Sequence, residues 1–175
     1  MTRPSWDDYF LEMAHSVSTR STCNRKQVGC VLVRDNQLLS SGYGGSIKGQ
    51  PHCMDEGCAI DEATGGCVRT VHAEMNAIAQ AACNGVSVKG ATAYCTLSPC
   101  NWCFKTFVNA GVTRIVYNEE YRIPPDFRLA AACGVQMQHM PLLSRIKMPA
   151  ADLDKGPGPA KAPAPKPKRA NPRKG

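Results

Sequence analysis

The first apolar residues of the chain recur at the spacing of a helix. Intervals of three or four residues separate Trp6, Phe10, Met13 and Val17, so their side chains would share one helical face. Ser5 stands just before this series and acidic residues follow it, as at many capped helix starts. The pattern predicts an amphipathic helix that begins next to Ser5.

Short apolar runs and turn residues then predict a sheet with helices packed on it. The predicted strands cover residues 28–34, 37–41, 91–97, 113–117 and 135–138, and further helices are predicted over 71–83, 100–110 and 125–132. Alternation of helices and strands favours an α/β fold. We therefore expect a three-layer α/β/α domain around a mixed, five-stranded sheet.

Residues 42–70 lack the periodicity of either element. Seven glycines lie in this stretch, together with Cys53, Cys58 and Cys67. A loop of this length inside a compact domain is uncommon and usually has a binding role. Metal or ligand binding is therefore expected there.

The net charge of the 175-residue chain is confined to its C-terminal end. Residues 1–154 contain 14 Lys and Arg and 14 Asp and Glu, whereas residues 155–175 contain seven bases and no acid. We predict one folded domain over 1–154, followed by a disordered, basic Pro/Ala/Lys-rich tail over 155–175. The composition of the tail indicates a role in solubility or in weak contact with a polyanion. Residues 1–154 have equal numbers of acids and bases, which argues against a nucleic-acid-binding surface on the folded domain.

The chain has neither an apolar run of membrane-spanning length nor the apolar stretch of a secretory signal after Met1. We therefore expect a soluble cytoplasmic protein with no membrane partner. Metal binding then explains the ten cysteines better than a disulfide scaffold does. Cys30, Cys83 and Cys95 fall in predicted strands or helices and Cys133 comes directly after one, and we expect all four in the core.

Two short motifs place metal-ligating residues at the starts of predicted helices. His72 and Glu74 lie at the start of the 71–83 helix, and Cys100 and Cys103 at the start of the 100–110 helix. One imidazole and two thiols leave a fourth tetrahedral position open for water, as in catalytic rather than structural zinc sites. Bound zinc lowers the pKa of water to about 7. A structural zinc site with an incidental glutamate is the alternative.

His-x-Glu followed by Pro-Cys-x-x-Cys is a signature of zinc-dependent nucleobase deaminases. Longer blocks make the resemblance more specific: Arg20–Cys23, Gln27–Cys30, Gly42–Gly45, His52–Cys53, Gly57–Cys58, Cys67–Thr70, His72–Ile78 and Ser98–Cys100. With them the chain resembles the deoxycytidylate (dCMP) deaminases of the cytidine-deaminase-like superfamily, in particular their bacterial competence-operon and phage members. The resemblance spans roughly residues 6–135 and implies the cytidine-deaminase-like α/β/α fold.

The resemblance implies hydrolytic deamination of dCMP to dUMP with release of ammonia, which supplies the precursor of thymidylate. It implies a catalytic zinc held by His72, Cys100 and Cys103. Glu74 would be the catalytic residue that moves protons between the water, the pyrimidine N3 and the leaving amine. Similar enzymes are homo-oligomers, commonly hexamers, so an oligomer is expected here.

The resemblance also implies substrate contacts after the first helix and in a Gly-Tyr-Asn-Gly loop. The candidate substrate-binding residues are Asn24, Arg25, Tyr43, Gly44, Ala73 and Ser98. Gly44 stands where the family has Asn, so a side-chain donor is lost. We therefore expect weak or absent regulation by dCTP and dTTP.

A second group of potential zinc ligands consists of Cys23, Cys53, Cys58 and Cys67, with His52 as an alternative ligand. Four such donors could form a closed structural site that fixes the long loop. Similar enzymes carry a second zinc in this region. Free thiols are the alternative.

Two other functions remain open. One is deamination of another substrate, namely a modified dCMP, dCTP, cytidine or tRNA adenosine, because the zinc motifs occur throughout the superfamily. The other is a non-catalytic, zinc-rich module that binds nucleic acid through the tail. Glu74 and the open ligand position argue against such a module, because it needs neither.

Overall fold

The computed structural model of the protein describes residues 3–141. The predicted domain boundary at residue 154 and the predicted tail lie outside the described residues. In chain order the elements are α1 (Trp6–Ser18), β1 (Gly29–Arg34), β2 (Gln37–Tyr43), β3 (Gly45–Ser46), α2 (Cys53–Glu56), β4 (Thr70–Val71), α3 (Ala73–Cys83), β5 (Thr92–Leu97), α4 (Asn101–Ala110), β6 (Arg114–Glu119), α5 (Phe127–Ala132) and β7 (Gln136–His139). No helix among residues 3–141 combines the length and apolar character that a membrane span requires.

Five strands form one mixed sheet in the order β2-β1-β5-β6-β7. Antiparallel pairing joins β2 to β1 and β1 to β5, whereas β5, β6 and β7 run parallel. The short strands β3 and β4 pair separately. The predicted fold class is confirmed, and each of the five predicted strands overlaps an observed one.

Helices cover both faces of this sheet. Consecutive residues of β1 point to opposite sides, so this strand contributes to the core on each face. The face covered by α3 and α4 buries Leu32 together with Phe104. The face covered by α1 buries Val31 together with Phe10. The sheet is thus the middle of three layers, as predicted.

The predicted N-terminal helix is confirmed, and an ion pair ties it to the sheet. The Ser5 hydroxyl caps α1 by accepting from the backbone N–H of Asp8 at 3.1 Å. Arg114 of β6 donates to both carboxylate oxygens of Asp7, at 2.8 and 2.7 Å. The Tyr94 hydroxyl donates to the same carboxylate at 2.7 Å. The ionised Asp7 therefore links α1 to β5 and β6.

The three later predicted helix starts are wrong by one or two residues, including that of α5, which begins at Phe127 rather than at residue 125. Val71 belongs to β4, so α3 begins at Ala73 and His72 is its N-cap. In α4 the N-cap is Cys100, and the helix begins one residue later. Both capping residues have extended backbone. Two of the predicted metal ligands thus lie at strand-to-helix junctions.

The stretch predicted as a loop over 42–70 has structure of its own. It contains β3, α2 and a turn closed by an antiparallel bridge between Ile60 and Cys67. Within that turn the Asp61 carbonyl accepts from the Gly65 N–H at 2.7 Å. We call residues 60–67 the rim hairpin.

The four cysteines expected in the core divide into two pairs. Cys30 and Cys95 are fully buried and face each other across β1 and β5, with their sulfur atoms 3.6 Å apart. The expectation is wrong for Cys83 and Cys133, which are exposed. Cys83 is the last residue of α3 and Cys133 is the C-cap of α5, so both lie at helix ends rather than on packed faces.

Two glycines let helices approach the sheet closely. A Cβ atom at Gly42 of β2 would lie 2.3 Å from both the Ala73 carbonyl and the Ala77 N–H nitrogen of α3. A Cβ atom at Gly29 of β1 would lie 2.1 Å from the Ala14 carbonyl of α1. Because Ala73 lies between His72 and Glu74 in the sequence, the close approach at Gly42 sets the position of the candidate site.

Candidate active site

Two strand-to-helix junctions bring the predicted ligands and Glu74 together. His72 caps α3 and Glu74 lies in its first turn. Cys100 caps α4 and Cys103 lies in its first turn. The positive N-terminal ends of both helices therefore lie at the site, which favours thiolate and carboxylate groups there.

The three predicted ligand atoms lie at the spacing that zinc requires. His72 Nδ1 is 3.5 Å from Cys100 Sγ and 3.4 Å from Cys103 Sγ. All three atoms lie within 4.8 Å of one another. Tetrahedral zinc, with bonds of about 2.3 Å to sulfur and 2.0 Å to nitrogen, separates these atoms by roughly 3.5 Å. The residues therefore fit a zinc ion with one further coordination position.

The two thiols of this group are not equivalent. Hydrogen bonding with Cys103 and with His72 lowers the pKa of Cys100 to about 4, so this sulfur is a thiolate at neutral pH. The hydrogen bond to Cys100 and burial raise the pKa of Cys103 far above its usual range. Zinc binds thiolates, so metal binding would displace the proton of Cys103.

Glu74 is an ionisable group almost without solvent contact. The residue is 4% exposed, and burial raises the pKa of its carboxyl. A raised pKa brings a carboxyl closer to the range in which it can both accept and release a proton. Glu74 is therefore suited to proton transfer beside the three ligands.

The site opens into a cavity of about 260 Å³, lined in part by His72, Glu74 and Cys100. This volume is close to the lower end of the roughly 300–1,000 Å³ that small-molecule pockets occupy. Among its lining residues, within the described range 3–141, Glu74 supplies the only carboxylate. The cavity suits a compact ligand better than a macromolecule.

Four of the six candidate substrate-binding residues line this cavity, namely Arg25, Gly44, Ala73 and Ser98. The other two lie elsewhere. The carboxamide oxygen of Asn24 accepts from the Cys58 thiol at 3.0 Å. Tyr43 has an exposed ring, and its carbonyl accepts from the side chain of Asn76 at 2.8 Å.

Ser98 uses its side chain to hold the chain after β6. The residue is 2% exposed, and its hydroxyl accepts from the Tyr121 N–H at 2.8 Å. Its own N–H donates to the Glu119 carbonyl at 2.8 Å. The segment that follows β6 is thereby fixed against the end of β5.

Tyr121 and Arg122 line the cavity, although no motif of the sequence singles them out. They follow β6, whose carboxyl end lies beside that of β5 because the two strands are parallel. The centre of the Tyr121 ring lies 6.5 Å from that of His72. One feature of the sequence could have indicated them: both residues come soon after the predicted strand over 113–117, and sites in α/β sheets gather at the carboxyl ends of strands.

The second predicted group of metal ligands also comes together. The sulfur atoms of Cys23, Cys53 and Cys58 lie within 4.8 Å of one another, and the Cys67 sulfur lies 3.6 Å from that of Cys53. The His52 imidazole is not part of this cluster, and its Nδ1 lies 3.1 Å from the Thr22 hydroxyl. We call these four residues the loop cluster; three of the sulfur atoms are close enough to share a metal ion, and Cys67 lies beside one of them. Thiols of this kind are ligands of structural zinc.

One thiol of the loop cluster ionises readily. Burial opposes ionisation of Cys67, but hydrogen bonds from the Thr70 hydroxyl and the Arg69 N–H lower its pKa to about 6. A thiolate is therefore available for a metal at neutral pH. Because Cys67 ends the rim hairpin, a metal bound here would fix one wall of the cavity.

The chain is similar to a deaminase family and to proteins named deoxycytidylate deaminase. Residues 4–119 match the family model of the cytidine and deoxycytidylate deaminase zinc-binding region. ComE operon protein 2 of Bacillus subtilis is 46% identical over 144 residues, which cover 81% of this chain and 75% of that protein. Deoxycytidylate deaminase of Schizosaccharomyces pombe is 36% identical over 147 residues, covering 79% of this chain and 45% of the yeast protein. The chain thus spans less than half of the yeast relative.

A solved structure is similar to this chain in fold. The dCMP deaminase of cyanophage S-TIM5, in complex with dCMP and dUMP, matches with a TM-score of 0.69 and 30% identity. The match covers 80% of this chain and 100% of the phage chain.

Proposed function

This chain belongs to the cytidine and deoxycytidylate deaminase family, and from that premise we propose that it converts dCMP and water into dUMP and ammonia. The observation that carries the proposal is the convergence of His72, Cys100 and Cys103 beside the buried Glu74 in one small cavity. Three ligands and a neighbouring acid–base group are what hydrolytic deamination at a zinc site requires.

We assign the zinc to His72, Cys100 and Cys103, with the loop cluster as a second, structural site. When bound by these three residues, zinc would supply an activated water at neutral pH. The four thiols of the loop cluster leave no position for water, so the second site has no part in the reaction.

Glu74 is proposed to move the protons of the reaction. Its carboxylate takes a proton from the attacking water and delivers it to N3 of the pyrimidine, which makes C4 more electrophilic. It then passes a second proton to the amino group, which leaves as ammonia. Burial supports this role, because the raised pKa of Glu74 makes proton return easier than from an exposed carboxylate.

Backbone groups at the two junctions are proposed to orient the base. The N–H of Ala73 lies in the first turn of α3, where N–H groups have no partner within the helix. Ser98 directly follows β5 and lines the same cavity, and its carbonyl is the proposed acceptor. A donor and an acceptor so placed match the carbonyl and amino groups of a cytosine ring.

The wider role follows from the product. dUMP is the precursor of thymidylate, so we assign the protein to pyrimidine nucleotide synthesis in the cytoplasm. The ten cysteines all lie within residues 3–141, and none of them forms a disulfide in that described part of the chain, which supports a reducing compartment. We further propose that the chain forms homo-oligomers and that the basic tail makes weak contacts with polyanions.

The decisive experiment is ammonia release by purified, zinc-loaded protein. The substrates are dCMP, CMP, deoxycytidine, dCTP, 5-methyl-dCMP, 5-hydroxymethyl-dCMP and an adenosine-bearing tRNA stem-loop. We expect turnover of dCMP that falls by about 10²–10⁴-fold in Glu74→Gln while the zinc content is retained. Glu12→Gln, a change of the same kind on α1 outside the cavity, serves as the control.

Other outcomes would redirect the assignment. Turnover of a different member of the panel would keep the mechanism and change the substrate. Gly44 would then be the first residue to investigate, because the family has Asn at this position on the cavity wall. Salt-sensitive nucleic-acid binding without any deamination would instead favour the non-catalytic zinc module.

A further inference from the structure

Gly44 lies on the cavity wall at a position that does not require glycine. It is not among the residues with a positive φ, so its backbone also suits residues that carry a side chain. A Cβ atom at Gly44 would lie 3.3 Å from Ser21 Oγ, 3.8 Å from Thr70 Cγ2 and 4.0 Å from the Val28 carbonyl. Only the first of these distances is slightly short. Neither backbone strain nor crowding therefore explains the glycine.

The nearby Gly42 shows the opposite case. Its Cβ atom would lie 2.3 Å from two backbone atoms of α3, so a side chain there has no space. Gly44 is buried and lines the cavity, so the open side of this residue faces the cavity interior. The absence of a side chain at Gly44 therefore enlarges the cavity itself.

Hydrogen bonds hold Gly44 in place on both sides. Its N–H donates to the Val28 carbonyl at 3.0 Å. Its carbonyl accepts from the Thr22 N–H at 3.0 Å and from the Ser21 hydroxyl at 2.9 Å. Because these contacts fix the wall, the space beside Gly44 is kept open rather than filled by movement of the backbone.

The geometry of a pyrimidine indicates which part of the substrate meets this wall. In the proposed reaction C4 faces the three zinc ligands and N3 faces Glu74. N1, which carries the sugar, lies opposite C4 across the ring, so the sugar points away from the metal site. The three atoms nearest a Cβ at Gly44 belong neither to a zinc ligand nor to Glu74. Gly44 therefore faces the sugar rather than the reacting edge of the base.

We propose that Gly44 leaves room for the 2′-hydroxyl of a ribose, so that the enzyme converts CMP and water into UMP and ammonia as well as deaminating dCMP. The inference rests on the proposed function, which places the pyrimidine at His72 and Glu74. CMP differs from dCMP by one oxygen atom on the sugar, and the space of an absent side chain is large enough for one atom.

The neighbours of this space are suited to a hydroxyl. Ser21 Oγ and the Val28 carbonyl oxygen are two of the three atoms nearest a Cβ at Gly44. Hydroxyl and carbonyl oxygens each have two lone pairs, so a sugar hydroxyl has polar groups to which it can donate. The third neighbour, the Thr70 methyl group, leaves the space narrow.

The family that the chain resembles has Asn where this chain has Gly44. An asparagine side chain at this position would begin in the space that the 2′-hydroxyl is proposed to occupy. Restoring the side chain should therefore exclude the ribonucleotide and retain the deoxyribonucleotide. This expectation can be tested by selectivity alone, whatever the absolute rate of the variant.

The test compares kcat/KM for CMP with kcat/KM for dCMP in zinc-loaded wild type, Gly44→Asn and Gly44→Ala. Ala79→Asn is the matched control, because it adds the same side chain at an exposed position of α3 outside the cavity. In the wild type the two values should agree within about tenfold. The CMP-to-dCMP ratio should fall by roughly 10–100-fold in Gly44→Asn, the effect of one group too many in a fitted pocket. It should stay within about twofold in the control.

Inhibition constants for UMP and dUMP give a second ratio that does not depend on turnover. An unchanged CMP-to-dCMP ratio in a folded Gly44→Asn enzyme would overturn the proposal. Absence of CMP turnover in a wild type that deaminates dCMP would overturn it as well. If Gly44→Asn does not fold, Gly44→Ala, which adds only the Cβ atom, provides the test, and the ratio should then fall several-fold.

Substitution on the base provides an internal check. A group on C5 lies next to C4, at the reacting end of the cavity, so Gly44→Asn should change the ratio of 5-hydroxymethyl-dCMP to dCMP by less than about twofold. A fall in this ratio alone would place the space beside the base and overturn the assignment to the sugar. Absence of dCMP turnover in the wild type would refute the proposed function instead.

Discussion

Gly42→Ala should displace the catalytic elements while leaving the rest of the sheet intact. The new Cβ atom would lie 2.3 Å from the Ala73 carbonyl and the Ala77 nitrogen, about 1.1 Å closer than the 3.4 Å at which ordinary contact begins. Both neighbours are backbone atoms, so no side chain can rotate away. Helix α3 must therefore move by about 1 Å relative to β2.

That movement acts directly on the chemistry, because Ala73 separates His72 from Glu74. A shift of about 1 Å in reacting groups can cost about 10²-fold in rate, so we expect kcat/KM for dCMP to fall by that order. Overpacking should also lower the free energy of unfolding by about 1–3 kcal/mol. The measurements are thermal unfolding by circular dichroism, zinc content by mass spectrometry and ammonia release per folded molecule.

Gly29→Ala is the matched control. Its Cβ atom would clash as severely, at 2.1 Å, but with the Ala14 carbonyl of α1, which carries no residue of the site. Stability should therefore fall comparably, while activity per folded molecule falls far less than in Gly42→Ala. If Gly42→Ala kept wild-type kcat/KM, or if both variants lost activity in parallel, the proposed link between this glycine and the site would be refuted.

Three further predictions concern metal, pH and regulation. Wild type should bind two zinc ions per chain by mass spectrometry. Cys100→Ser should lose one of them along with turnover, and Cys53→Ser should lose the other and lower Tm by at least about 5 °C. Arg114 holds the pKa of the Asp7 carboxyl below its ordinary value of 3.8, so this pair stabilises the protein above that pH and the contribution is lost as pH falls through the folded pKa. In urea titrations, Asp7→Asn should therefore cost about 1–2 kcal/mol at pH 6 and progressively less below pH 4, whereas Glu12→Gln should show no such dependence. Finally, dCTP with Mg²⁺ should change kcat/KM for dCMP by less than about twofold, and activation of about fivefold or more would contradict this.

Local patterns were enough to predict the sheet and most helices, because their apolar residues recur at the period of the element that buries them. Strand β1 shows this directly, since consecutive residues such as Val31 and Leu32 pack on opposite faces. The start of α3 could not be placed from periodicity alone. Val71 is drawn into β4 by pairing with β3, a tertiary contact that the local sequence does not specify.

The candidate metal ligands were predictable because zinc chemistry limits the residue types and their spacing. The contact between Arg122 and the rim hairpin could not be predicted, because neither belongs to a motif and they meet only in the folded chain. Asn24 and Tyr43, which the resemblance implies as substrate contacts, are not among the lining residues of this cavity. Asn24 accepts from the Cys58 thiol, and the Tyr43 ring is exposed.

The rim hairpin has a consequence for how the molecule opens. Apolar side chains in and beside the hairpin are exposed to solvent: Met54 is 51%, Ile60 48% and Val68 70% exposed. Burial of apolar surface therefore contributes little to the order of the hairpin. Hydrogen bonds from Arg25 to the Gly65 carbonyl and from Arg122 to the Thr64 carbonyl hold it instead. Cys67 also connects it to the loop cluster. Such a segment can open locally at a free energy well below that of global unfolding. Backbone amides of residues 60–67 should therefore exchange with deuterated solvent long before those of β1 and β5.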